Sequence, residues 1–272
     1  MSAPAAADLP AATFPDPVAF PPSVDADPAW AVAARAWLVQ SDAKFARRFD
    51  AGEPADKLVA LRTRTVDTVV RDAWQRCVPE GDALALFAVG GYGRGELFPQ
   101  SDVDLLVVAE PDVQQQAQPA LSRFVALLWD AGLQASPAVR SATECTEAAA
   151  DQTVLTALIE ARPLVAWEEE AASLREAVAP DRVWSPRAFL ETKVAEQRQR
   201  HARFGDTSDN LEPNIKDGPG GLRDLHMLGW LALRSFGVRD LEALVGLGHL
   251  GPDEAIALEL SLIHISEPTR PY

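Results

Sequence analysis

The stretch Gly90-Gly91-Tyr92-Gly93-Arg94-Gly95-Glu96-Leu97-Phe98-Pro99-Gln100-Ser101-Asp102-Val103-Asp104-Leu105-Leu106 decides the reading of this chain. The apolar run Ala83 to Val89 before it reads as a buried strand, and Leu105 to Val108 reads as a second. Residues two apart on a strand share a face, so Asp102 and Asp104 look at one spot while Val103 and Leu105 turn to the core. Two carboxylates that close repel. A divalent cation removes the conflict, and hard oxygen ligands suit Mg²⁺. The pair Gly90-Gly91 ends the first strand and lets backbone N–H groups approach a phosphate. A phosphate cradle beside a carboxylate pair is equipment for metal-assisted phosphoryl or nucleotidyl transfer. The bland alternative is a glycine turn between strands with two solvated aspartates.

Two glycines, ten intervening residues and then Asp-hydrophobic-Asp-hydrophobic resemble the signature of the polymerase-beta-like nucleotidyltransferase superfamily. The longer string resembles the bacterial PII uridylyltransferase/uridylyl-removing enzyme family. Phe49, Gly52, Leu58, Arg62 and Asp67 upstream, and Thr153 to Arg162 downstream, extend the resemblance. So does the string Leu211-Glu212-Pro213-Asn214-Ile215-Lys216-Asp217-Gly218-Pro219-Gly220-Gly221-Leu222-Arg223-Asp224. The likeness runs over about residues 45 to 259. It implies an α/β nucleotidyltransferase domain with a mixed sheet, flanked by helices and followed by the start of an all-helical domain. It also implies Mg²⁺-dependent transfer of UMP from UTP to a tyrosine of a PII signalling protein. The roles that follow are Asp102 and Asp104 on the metal, Gly90, Gly91 and Ser101 on phosphate, and Lys216 and Arg223 near the nucleotide. Arg94 either grips phosphate or pairs with Glu96. An adenylyltransferase of the same superfamily and a non-catalytic nucleotide-binding module are the alternatives.

Where the superfamily often has a third carboxylate, the strand read over Leu133 to Arg140 offers Gln134, Ser136 and Ala138. Pro137 stands where the family commonly has His. Glu144 and Asp151 are the nearest acids. Three glycines and two prolines make residues 211–221 a shaped loop, read as a wall over the nucleotide or as a structural turn.

The chain has 272 residues, 40 acidic against 25 basic, and a net charge of -15. That balance disfavours nucleic acid, whose binding rests on cationic contacts to phosphate. Cys77 and Cys145 lack metal-ligand spacing and read as reduced thiols. No apolar run reaches the roughly 20 residues of a membrane span, and the chain reads as cytoplasmic. The expected organisation is an Ala/Pro-rich disordered leader over 1–28 and a helical arm over 29–80, broken at Gly52 and Pro54. A nucleotidyltransferase domain over 81–181 and a helical region over 182–259 follow. Residues 260–272 resemble a translated sequencing adapter and are expected to break the helical pattern.

Overall fold

The computed structural model describes residue 20 and residues 26–79, 83–205, 214–239 and 241–266. Most of the expected leader and residues 267–272 lie outside the described residues. Contacts divide the chain into two units at Val178–Ala179, three residues before the expected boundary.

In the first unit Pro28 enters the first turn of α1 (Asp27–Asp50), where its missing N–H costs nothing. The leader reading therefore stops short of Asp27. Phe20 also departs from it, lying edge-on to Trp37 with ring centroids 5.0 Å apart. Gly52, at φ +96°, and Pro54 separate α1 from α2 (Ala55–Cys77). Val66, Val69, Val70 and Ala73 are completely buried, as their helical spacing predicts. These two helices do not form a separate arm. Trp30, Trp37, Val69 and Trp74 share one core with Leu86, Leu105 and Phe124.

The rest of the first unit is β1 (Ala85–Ala88), α3 (Gly90–Arg94), β2 (Val103–Val108), α4 (Pro111–Asp130), β3 (Ala135–Arg140), α5 (Ala142–Ala148), α6 (Gln152–Ile159), β4 (Arg162–Val165) and α7 (Glu168–Ala177). The four strands make one mixed sheet in the order β3-β2-β1-β4. β1 runs antiparallel to β2 and β4, and β2 runs parallel to β3.

Pro137 fits without loss of a ladder bond. The carbonyls of Gln134 and Arg140 accept from Val103 N and Ala109 N, so residues of their parity face β2. Pro137 has the opposite parity and turns its donor-less nitrogen to the open side of an outer strand. The other outer strand, β4, carries Pro163.

The second unit contains α8 (Pro186–Arg203), α9 (Leu222–Phe236), α10 (Leu241–Gly246) and α11 (Pro252–Ser266). The expected break at Leu260 does not occur, because α11 runs on to Ser266. No glycine or proline interrupts the sequence between Pro252 and Pro268, so nothing there ends a helix.

Candidate active site

The site of the first unit is assembled where β1 ends. Val89 N donates to Asp104 O at 3.1 Å, which ties the strand end to the carboxylate strand. Gly90 then takes φ +59°, a conformation open to glycine at little cost. The expected glycine turn is a single helical turn, α3, with Gly93 N bonded to Val89 O at 3.0 Å. Gly95, at φ +82°, ends it. Thr63 of α2 fastens its exit, accepting from Leu97 N and donating to Gly95 O.

The alternation read from the sequence holds from Asp102 to Leu105. Val103 and Leu105 are each 1% exposed, Asp102 is exposed and Asp104 is half-buried. A Cβ placed on Gly90 would lie 3.1 Å from Asp104 Oδ2. The first glycine and the second aspartate are thus immediate neighbours, and any side chain at position 90 would crowd the carboxylate. Ser101 is exposed, and its N–H closes a turn onto Phe98 O at 3.1 Å. Gly90, Gly91, Ser101, Asp102 and Asp104 all lie on the short path from the end of β1 to the start of β2.

Of the two readings of Arg94, the structure shows the pairing with Glu96. Its Nε donates to Glu96 at 2.8 Å, and its Nη1 contacts both oxygens of Glu160 at 2.9 Å. Burial alone would lower the guanidinium's pKa, but the charges of Glu160 and Glu96 outweigh it and raise the value. Sequence reasoning saw Glu96 two residues away and missed Glu160, which is 66 residues away.

Neither nearby acid completes a carboxylate triad. Glu144 closes a capping box with Ser141 at the start of α5 and accepts from Gln114. Those hydrogen bonds lower its pKa, Gln114's foremost. Asp151 caps α6 through Thr153 N at 2.6 Å. The residue in register with Asp104 on β3 is Ser136. Among the described residues no group of three His, Cys, Asp or Glu side chains is arranged to hold a metal. The two aspartates nevertheless suit Mg²⁺, which commonly takes one or two protein carboxylates and fills its shell with water and substrate phosphate.

Lys216 and Arg223 belong to the second unit. Asn214 Oδ1 accepts from Lys216 N and Asp217 N, folding a tight turn. Gly218 and Gly221 are required there, since a Cβ on either would come within 2.7 Å of a backbone carbonyl. Lys216 is exposed, whereas Arg223 pairs with Asp217 at 3.6 Å and lies over the Trp230 ring. Asp224 holds the loop, accepting from Gln197, Arg200 and Gly220 N, with His201 Nε2 at 2.9 Å. Leu211, Glu212 and Pro213 lie outside the described residues. No described helix is long and apolar enough to cross a membrane.

Comparison with known proteins agrees with this geometry. Residues 70–202 match the nucleotidyltransferase domain, and residues 188–265 match the family described as GlnD PII-uridylyltransferase. A bifunctional uridylyltransferase/uridylyl-removing enzyme of Xanthomonas campestris pv. campestris (strain 8004) is 63% identical over 87% of this chain and 27% of its own length. The enzyme of that name from Methylococcus capsulatus is 44% identical over 80% of this chain and 25% of its own. The chain thus spans about a quarter of the length of these relatives.

Proposed function

The chain belongs to the GlnD PII-uridylyltransferase family, whose model matches residues 188–265 behind a nucleotidyltransferase domain over residues 70–202, and from that premise we propose that it transfers UMP from UTP to a tyrosine hydroxyl of a PII signalling protein, releasing pyrophosphate. The observation that carries this reading is the closeness of Gly90 to the Asp104 carboxylate, whose Oδ2 would lie only 3.1 Å from a Cβ at that glycine. It brings a phosphate approach and a cation ligand together.

Asp102 and Asp104 would hold Mg²⁺, which when bound neutralises the triphosphate and polarises the phosphorus under attack. The remaining work of the chain is positioning. Backbone N–H groups at Gly90 and Gly91 donate to phosphate oxygens. The hydroxyl of exposed Ser101 donates to another and fixes the triphosphate along the β1–β2 connection. Arg94 acts as a strut behind the turn. Lys216 is the candidate anion contact of the second unit's loop, and Arg223 shapes that loop through Asp217.

One observation favours a second reading. Ser136 stands in register with Asp104, where a third carboxylate would complete a metal site. A site left with two acids suits a module that binds nucleotide without turnover.

The test incubates the purified chain with Mg²⁺, α-labelled UTP and a PII protein. Label on PII that disappears in Asp102→Asn and in Asp104→Asn, with unchanged circular dichroism, is the expected result. Near-normal transfer in either variant refutes the metal role. Label from ATP alone points to an adenylyltransferase, and UTP binding without transfer to the module.

A further inference from the structure

Behind the glycine turn lies a set of buried charges that the reaction does not use directly. Asp67 on α2 is 4% exposed and Arg162 on β4 is 9% exposed. They form a two-pronged ion pair, Nη1 to Oδ2 at 2.8 Å and Nη2 to Oδ1 at 3.0 Å. Arg162 Nη2 also donates to the Tyr92 carbonyl at 3.3 Å, and its guanidinium lies 5.4 Å from the centre of the Tyr92 ring. Two residues before Arg162, buried Glu160 grips Arg94. A Cβ on Gly93 would come 2.5 Å from the Glu160 carbonyl. Residues 160–162 therefore hold the turn at Tyr92, Gly93 and Arg94 in succession.

A buried ion pair is a weak stabiliser, since desolvation offsets most of its attraction. What it supplies well is direction, because the planar guanidinium fixes both partners in one geometry. We propose that the Asp67–Arg162 pair, with Glu160–Arg94 beside it, is a positioning device that sets the Gly90–Gly91 backbone against Asp104. Its catalytic consequence rests on the transfer reaction proposed above; its structural consequence does not. A turn loosened by a fraction of an ångström still binds nucleotide but presents its donors poorly to the transition state, so kcat suffers more than KM.

The experiment compares Arg162→Met, Arg162→Lys and Asp67→Asn with the parent chain by two readouts. The first is amide hydrogen exchange of residues 90–95 with and without Mg–UTP, with α1 and α4 as internal references. The second is kcat and KM for UTP. The expected result is faster exchange confined to the turn, and a kcat lowered about 10- to 100-fold at a KM changed by less than about threefold. Lysine is not expected to rescue, because one ammonium cannot reproduce the forked contact to Asp67 and Tyr92. Asp67→Asn keeps the volume and serves if Arg162→Met does not fold. Unchanged exchange at 90–95 in a folded variant overturns the proposal. So does restored kcat in Arg162→Lys, or a loss expressed wholly in KM. If the parent chain transfers nothing while turn exchange responds as expected, the assigned reaction fails and the positioning role stands.

Discussion

Replacing Gly93 with alanine tests how tightly the phosphate-approach turn is seated. The new methyl would lie 2.5 Å from Glu160 O and 2.9 Å from Ala88 O. Ordinary contact begins near 3.4 Å, so the first carbonyl must retreat by about 0.9 Å. Both obstacles are main chain, one at the end of α6 and one in β1, and neither can rotate away as a side chain would. Overpacking of this kind costs about 1–3 kcal/mol, and two rigid neighbours argue for the upper end. Alanine's better helix propensity returns about 1 kcal/mol. The net loss is about 2 kcal/mol, and a unit of this size loses roughly 2–4 °C per kcal/mol. Gly93→Ala is therefore expected to lower the first unit's Tm by about 4–8 °C, read by thermal circular dichroism and by the urea midpoint. A Tm within about 1 °C of the parent, or above it, would refute the argument that main chain fills this space.

In contrast, a Cβ added to Gly229 on α9 would meet nothing within 4 Å, so Gly229→Ala is expected to stabilise the second unit by about 0.5–1 kcal/mol; a urea midpoint that falls would contradict this. Burial alone would raise the pKa of Asp224, but bonds from Gln197, Arg200 and Gly220 N outweigh it and hold the value below the ordinary carboxylate range. Its contribution to stability is full above the unfolded value of about 3.9 and is lost as pH falls toward the lower folded value. A urea series from pH 6 down to about pH 3 is expected to show that acid loss flattened in Asp224→Asn. Burial pushes the Cys145 thiol up to about 11. At pH about 8 it and buried Cys77 are expected to resist a disulfide reagent until denaturant is added, and fast labelling of the folded chain would show that the core is open.

The sequence was most informative where a feature is local. Gly52 and Pro54 punctuate the two long helices, Asp151 caps its own helix, and the alternation of Asp102 to Leu105 shows which residues face inward. Distant pairings left no local mark. Asp67 and Arg162 are 95 residues apart, and each alone reads as an ordinary charge. The helical turn at Gly90 was also hidden, because glycine is a poor helix former. Tertiary packing overrides that preference, with Tyr92 completely buried and Gly93 pressed between two carbonyls. β4 escaped notice because four residues that include Pro163 are too short and too broken to read as a strand.

The sheet has a proline in each of its two outermost strands. An exposed strand edge is a template on which another chain can polymerise. Here an incoming strand would meet Pro137 on one side, where the backbone has no hydrogen to offer. A nascent or partly opened copy of this unit is thereby poorly equipped to recruit a second copy through its sheet. Pro137 thus serves as protection against fibre-like growth, independent of any part it has in chemistry.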